Sequence, residues 1–351
     1  MPQRSIGLDI GTAGVRAAQL SVAGGAVVLE RFGQLALPDG AVRDGEVLDP
    51  GAVGAVVKRL WAEVGFSSQR VTVGVANQRV VVRQVDLPWL PPKELRASLA
   101  LTVADHVPMP VDQALLDVHP VEERVVDGAR VVRGLLVAAA RDTVLGTLAA
   151  VEAAGLQPAR VDLTPFAVLR ALAAPDHLGL GAPVEALVDV GARVTNIVVH
   201  QGGVPRFVRI LLGGGQDLTD AVAARLGVPA AEAEAVKQRL GTGDGAPEEH
   251  ARAGRALDAA VGSFVDEVRG SLDYFAASSA HGPIAHLRLS GGGSRLTGLA
   301  ARLHSATRIP VEPGDPLRDL SLGRTGLSTE QLAHVTPLAA VPVGLALGAA
   351  A

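Results

Sequence analysis

The chain contains no cysteine among its 351 residues. That excludes disulfides, thiolate metal sites and a cysteine nucleophile, and it fits a reducing compartment such as the cytoplasm. Aromatic residues make up only 3% of the sequence, so any core must be built from aliphatic side chains. An excess of positive charge is missing as well. The net charge is −4, and with no basic stripe and no aromatic platform nothing points to nucleic-acid binding. Long apolar runs are also absent. The sequence reaches Asp9 before any such run, so its start does not read as a signal peptide. The stretch Leu338 to Ala351 is apolar, but it falls short of the roughly 20 residues that span a bilayer and reads as a buried helix.

What is present is a unit that occurs twice. Ile6-Gly7-Leu8-Asp9-Ile10-Gly11-Thr12 stands near the start, and Ala186-Leu187-Val188-Asp189-Val190-Gly191-Ala192 in the middle. Each is a short apolar run followed by Asp-x-Gly. Each is then followed by a second apolar run and a Gly-Gly pair, Gly24-Gly25 or Gly202-Gly203. This is a strand, a tight turn and a strand, made twice. Glycine in such a turn admits positive φ and lets a ligand approach backbone N–H groups, which form a concavity for anions. The carboxylates of Asp9 and Asp189 would repel phosphate directly. They can instead hold a hydrated Mg²⁺, which needs only one or two carboxylates besides phosphate oxygens and water. The hydroxyl of Thr12 can donate to a phosphate.

Read in order, residues 5–10, 14–21 and 26–36 are expected as strands, followed by a helix capped by Asp49 with Pro50 in its first turn. A buried strand follows over 71–75. This β-β-β-α-β order departs from a dinucleotide fold, where a helix follows the first glycine turn. Residues 79–154 read as an inserted piece. It holds a strand over 80–87, a helix from Lys93 to about His106, strands over 115–126 and 131–139, and a helix with Asp142 as its cap and Leu145, Leu148 and Val151 on its apolar side. Pro175 to Pro183 reads as a linker. The second half opens with strands over 184–190, 193–201 and 204–212, then helices over 217–226 and from Pro229 to Gly241. A loop over 241–247 and a long helix over about 248–279 come next. The strand 287–290 runs into Gly291-Gly292-Gly293-Ser294 and a helix from Leu296 to Ser305. A polar loop and a closing helix from about Pro337 complete the chain.

Two Asp-x-Gly turns and a strand ending in Ser-Gly-Gly-Gly-Ser, in this order, resemble the actin-like ATPase superfamily. Within it, the chain resembles the PilM family of type IV pilus assembly, a relative of FtsA. The stretches that carry this are Arg83-Gln84-Val85-Asp86-Leu87-Pro88-Trp89-Leu90, His106-Val107-Pro108-Met109-Pro110, Leu116-Asp117-Val118, Arg209-Ile210-Leu211-Leu212-Gly213-Gly214 and Ala233-Glu234-Ala235-Val236-Lys237. The resemblance implies an α/β, actin-like (ribonuclease H-like) fold of two duplicated lobes. Residues 1–180 would form the first, with an FtsA/PilM-type (SHS2) subdomain inserted at about 79–154. Residues 181–336 would form the second, with a helical part at about 216–280, and 337–351 would return to the first.

The resemblance further implies that ATP and Mg²⁺ bind between the lobes. Asp9, Gly11, Thr12, Ala13 and Arg16 would serve in the first phosphate motif, and Gly191, Ala192, Thr195 and Asn196 in the second. Glu234 and Lys237 would lie near the nucleoside, as would Gly291, Gly292, Gly293 and Ser294, with Asp9 and Asp189 at the metal. Arg16 stands where many family members carry lysine, keeping the charge but not the geometry. The implied role is a cytoplasmic scaffold, peripheral at the inner face of the membrane. It would bind the cytoplasmic tail of a PilN-like inner-membrane protein in a groove between the insert and the first lobe, with weak or no ATPase activity. The same superfamily holds FtsA-like division proteins and sugar or acetate kinases. FtsA typically ends in an amphipathic membrane-targeting helix, and Pro342 to Ala351 has no basic residue to make one. A kinase needs a general base and a polar acceptor pocket, and the Val/Leu/Ala-rich insert offers no such cluster.

Overall fold

A computed structural model of the chain describes residues 3–174, 181–242, 251–278 and 281–350. Strands β1 (Gln3–Ile10), β2 (Gly14–Ala23) and β3 (Ala26–Ala36) form an antiparallel meander. A small hairpin of β4 (Val42–Arg43) and β5 (Glu46–Val47) leads to helix α1 (Pro50–Val64). The carboxylate of Asp49 accepts the Ala52 N–H at 2.9 Å and so caps the helix as its position implies. Strand β6 (Arg70–Val75) then pairs parallel to β1.

The chain next builds a separate antiparallel sheet from β7 (Val80–Pro88), β8 (Ala114–Val126) and β9 (Ala129–Ala140), with helix α2 (Pro92–Thr102) between β7 and β8. Helix α3 (Arg141–Ala153), β10 (Gln157–Leu163) and α4 (Thr164–Leu172) bring it back, β10 pairing parallel to β6. The second half repeats the meander with β11 (Val184–Val190), β12 (Val194–Gln201) and β13 (Val204–Leu212). Helices α5 (Gly215–Leu226), α6 (Ala230–Leu240) and α7 (Ala251–Ser278) follow, then β14 (Ile284–Ser290), which pairs parallel to β11. The remaining elements are α8 (Leu299–Thr307), β15 (Val311–Pro313), β16 (Ser321–Leu322), α9 (Thr329–Val335) and α10 (Ala340–Ala350). The two large sheets run β10-β6-β1-β2-β3-β16 and β13-β12-β11-β14-β15.

Helices α4 and α10 fill the space between these sheets. Ala167, Val168 and Leu172 of α4 and Ala340, Val341 and Leu345 of α10 share a buried cluster with Leu187, Val198 and Val208 of the second sheet. Val343 and Ala346 of α10 pack instead with Ala18, Leu20 and Leu29 of the first. Polar ties reinforce the sandwich. Arg170 donates to the Gly344 carbonyl at 3.0 Å and pairs with Asp162, while Arg288 of β14 donates to the Leu172 carbonyl at the end of α4.

Several boundaries differ from the sequence expectation. Helix α2 stops at Thr102 because Val103 turns into the core, fully buried and off the helical path, and a separate 3-10 turn covers Ala104–His106. Helix α3 begins two residues earlier than expected, with Ala140 and not Asp142 at its cap position, and the Asp142 carboxylate pairs with Arg79 at 2.8 Å. Leu145 lies on the outer side of α3 at 55% exposure. The inward side is made of Thr143, Val144, Thr147, Ala150 and Val151, of which the last two join Val53 and Val57 of α1 in one cluster. The Ser-Gly-Gly-Gly-Ser segment opens a 3-10 turn, Gly292–Arg295, and α8 begins only at Leu299. The expected polar loop before the closing helix holds β16 and α9. The expected linker at 175–183 and loop at 241–247, with Glu248 and Glu249, fall largely outside the described residues.

The contact between α4 and α10 depends on one glycine. A β-carbon on Gly344 would lie 1.8 Å from the Ala167 carbonyl oxygen, which belongs to backbone and cannot step aside. Gly344→Ala is therefore expected to destabilise the protein by about 1–3 kcal/mol or more, as overpacked cores do. Gly262→Ala on α7, where the added methyl meets nothing within 4 Å, should be neutral or stabilising by up to ~1 kcal/mol. Urea unfolding of the two variants beside the parent checks both.

Candidate functional site

Asp9 and Asp189 are each the penultimate residue of a buried strand, β1 and β11. Both open onto one cleft of about 920 Å³ between the two sheets. The β ladders decide what stands beside them. Opposite Asp9 on β2 is Arg16. Opposite Asp189 are Asn196 on β12 and Ser290 on β14. The duplication keeps the carboxylate and changes its neighbours.

Arg16 Nη1 lies 3.3 Å from Asp9 Oδ2, with both side chains largely buried. Ser290 donates its hydroxyl to Asp189 Oδ1 at 2.8 Å. Burial pushes the Asp9 carboxyl above its ordinary range against the opposing pull of Arg16. Asp189 is pushed up to about 6. Burial is the main cause and the nearby Asp9 charge adds to it, while the hydrogen bonds from Ser290 and Asn196 and the charge of Arg16 oppose it. The two carboxylates thus feel each other across the cleft. Asn196 is 3% exposed, and its amide oxygen is buried without a partner among the described residues.

The turns are closed by their own backbones. The Gly11 N–H donates to the Gly14 carbonyl at 3.0 Å, and the Gly191 N–H to Val194 at 2.9 Å. The second turn is braced further by the start of α5, whose Gly215 and Gln216 N–H groups donate to the carbonyls of Gly191 and Ala192. Gly291, at φ 83°, passes so close to β11 that a β-carbon there would lie 2.4 Å from the Val190 carbonyl oxygen. Its glycine is required by packing as much as by ligand access.

Of the residues expected at the site, Asp9, Gly11, Thr12, Ala13, Arg16, Asp189, Gly191, Ala192, Asn196, Glu234, Lys237, Gly291, Gly292 and Gly293 line the cleft. Thr195 and Ser294 do not. Thr195 is fully buried with its hydroxyl on the Gly213 carbonyl, and Ser294 donates to the Gly291 carbonyl. Glu234 and Lys237 are more than a charge pair on a helix face. Lys237 is buried and donates to the Gly215 carbonyl and the Thr219 hydroxyl, both at 2.8 Å, while pairing with Glu234 at 2.7 Å. Burial alone would raise the Glu234 carboxyl, but hydrogen bonds from Lys237, Thr219 and Gln238 outweigh it and hold it low. The network pins α6 to the start of α5.

Other cleft residues escaped the sequence reading. Arg193, in the second turn, is held by Asp217 and Asp220 in the first two turns of α5. Arg295 and His334 meet at the mouth, each guanidinium nitrogen about one hydrogen-bond length from a ring nitrogen, at 3.1 and 3.0 Å. Arg295 directly follows the recognised glycine motif and could have been found; His334 lies on α9, whose Ser328-x-x-Gln331 capping box was the signal overlooked.

Chemically, the floor of the cleft presents two carboxylates and an unpartnered amide oxygen. All are hard oxygen donors, the kind Mg²⁺ takes, so the residues present fit that ion. The walls offer cations and glycine turns suited to an anion.

The Asp189 carboxyl has a testable consequence. Its folded pKa of about 6 lies above the 3.8 of an ordinary aspartate, so the fold binds its proton more tightly than the unfolded chain does. The stability present below about pH 4 is lost as the pH rises through 6. Asp189→Asn stays neutral and should exceed the parent by roughly 1–3 kcal/mol at pH 8, at about 1.4 kcal/mol per pKa unit. The gap should close below pH 4. Urea unfolding across this range measures it, and a gap that does not change with pH would count against the shift.

A family model for the type IV pilus assembly protein PilM matches residues 7–350. Among solved structures, a chain of the PilM-PilN type IV pilus biogenesis complex is 28% identical, with a TM-score of 0.84 over 98% of both chains. The cell division protein FtsA of Bacillus subtilis is 25% identical over 259 residues, which are 67% of this chain and 58% of FtsA. The chain therefore spans less than two thirds of that relative. MreB5 of Spiroplasma citri, solved bound to ADP, is 13% identical with a TM-score of 0.51, over 97% of this chain and 94% of its own. That likeness shows the fold alone, and the fold is the actin-like one that the duplicated turns imply. With the family model matching nearly end to end, the chain belongs to the PilM family of type IV pilus assembly proteins.

Proposed function

We propose that the chain is a nucleotide-dependent scaffold of type IV pilus assembly. It takes Mg-ATP into the cleft and holds the cytoplasmic tail of a PilN-like inner-membrane protein. The observation that carries this is the pair of buried carboxylates at the ends of two duplicated strands, facing one cleft, in a chain that superposes over 98% of its length on the PilM-PilN structure.

In this reading Asp9 and Asp189 hold waters of a hydrated Mg²⁺. The glycine turns at Gly11 and Gly191, with Thr12, Ala13 and Ala192, receive the phosphates. Gly291 to Gly293, with Glu234 and Lys237, border the nucleoside. Lys237 is fully engaged by Gly215, Thr219 and Glu234, so its part is to shape that wall. Thr195 and Ser294 support the turns from behind. The division into a first lobe over 1–180, with the insert at 79–154, and a second over 181–336 is likewise part of the proposal. Helix α10 then acts as the shared packing element. ATP serves as a ligand that favours one arrangement of the lobes. Turnover is slow, because the two carboxylates are committed to metal-bound water and not placed as bases. Among the described residues no single helix is long and apolar enough to cross a membrane. Placement at the inner face of the membrane would come through the PilN-like partner.

Calorimetry with Mg-ATP, and turnover followed on the same sample, tests the reading. Micromolar binding with little turnover is expected, weakened at least ~100-fold in Asp189→Ala, or about 2.7 kcal/mol. A synthetic N-terminal tail of the cognate PilN-like protein should bind the parent, with an affinity that changes when nucleotide is added. Rapid turnover that depends on a hydroxyl or carboxylate acceptor would replace the scaffold with a kinase.

A further inference from the structure

Arg16 has a role that a phosphate-binding side chain alone does not explain. It stands directly across the β1–β2 ladder from Asp9 and contacts that carboxylate. Its charge also reaches Asp189. The floor of the cleft therefore already contains a cation among the oxygen donors that suit Mg²⁺. These donors are two carboxylates and the buried, unpartnered amide oxygen of Asn196, a residue 3% exposed. We infer that Arg16 is the resident counter-ion of this site. It excludes a divalent cation until a nucleotide draws the guanidinium away.

The geometry of the pair supports exchange over permanence. Arg133 and Asp86, on the surface of the inserted sheet, form a two-pronged fork with both bonds at 2.7 Å. Arg16 makes one contact to Asp9, at 3.3 Å, well beyond the 2.7–2.9 Å usual for charge-assisted bonds. Its Nε is buried with no acceptor among the described residues. A β-carbon on Gly11 would lie 3.6 Å from Arg16 Nη1, so the guanidinium runs along the first turn. It is under-satisfied and poised where phosphate oxygens would arrive. Phosphate takes a guanidinium in two-pronged fashion. The arriving anion satisfies the orphan donor and releases Asp9 for metal-bound water. While Arg16 remains on Asp9, Coulomb repulsion in this partly buried site, weakly screened by salt, opposes a divalent ion. Metal thus enters with the nucleotide and not before it.

The inference rests on the nucleotide reading above, but its test does not need nucleotide. Mn²⁺ stands in for Mg²⁺, and the free ion is counted by its electron paramagnetic resonance signal. The parent is expected to bind no Mn²⁺ below about millimolar, whereas Arg16→Gln should bind at least ~10-fold more tightly, about 1.4 kcal/mol. Adding Asp189→Asn to Arg16→Gln should abolish the gain. If Arg16→Gln does not fold, as judged by circular dichroism, Arg16→Met replaces it. That variant removes the charge at similar length and should show the ~10-fold gain, about 1.4 kcal/mol. Arg16→Lys keeps the charge that opposes a divalent ion, so it should bind Mn²⁺ no more tightly than the parent. Parent protein that binds Mn²⁺ tightly without nucleotide, in a manner lost in Asp9→Asn, overturns the inference. So does a charge-removing Arg16 variant that folds and gains nothing. Absence of Mg-ATP binding in the calorimetry would remove the nucleotide reading separately, whatever the Mn²⁺ titration shows.

Discussion

Two carboxylates at the ends of buried strands set the terms for the rest of the structure. An ionised carboxylate taken from water into a protein interior costs several kcal/mol unless it is paired or hydrogen-bonded. Asp9 and Asp189 are both in that position and also face each other. The fold answers differently in its two halves. In the first, a guanidinium on the neighbouring strand supplies the opposite charge. In the second, neutral donors from Ser290 and Asn196 favour the ionised carboxylate, while burial and the Asp9 charge still push its pKa up to about 6. A duplicated backbone has thus become electrostatically asymmetric, with a cation beside one carboxylate and neutral donors beside the other.

Holding the two strand ends on one cleft is the task of the packing behind them. Leu187 on β11 lies in the same cluster as Leu345 of α10, and Ala18 on β2 in the same cluster as Val343. One helix therefore supports both sheets from behind the site. Side chains at the cleft are then fixed by short polar networks. Lys237, Thr219 and Glu234 tie α6 to α5, and Arg193 with Asp217 ties the second turn to the same helix. Each network uses charges that would otherwise read as solvated surface.

Much of this was visible in the sequence, for physical reasons that can be named. Strand ends show as apolar runs broken by Asp-x-Gly, and the repeat of the motif makes coincidence an unattractive explanation. The Asp49-Pro50 cap carries its own mechanism and lies where expected. The misses are equally instructive. Thr195 and Asn196 are adjacent on a strand, so their side chains point to opposite faces, and only one could reach the cleft. Leu145 is expected on the apolar side with Val151, but α3 turns Thr143, Val144, Thr147, Ala150 and Val151 toward the core and leaves Leu145 outside. The burial of Lys237 depends on α5 crossing its path, a fact of tertiary packing that no local pattern records. His334 and α9 lie in a segment whose polar composition hides a short helix.

The position of α10 bears on how the molecule is made. Ala18 and Leu20 in the first meander are sealed by Val343 and Ala346, which follow them by more than 300 positions in the sequence. Chains commonly fold their N-terminal parts first during synthesis. Here the first meander would emerge from the ribosome with one apolar face bare, and would wait for the intervening residues to be synthesised before that face is covered. The closure of so long a loop slows folding more than it weakens the final state. Throughout that interval the nascent sheet is a natural client for chaperones that shield apolar surface.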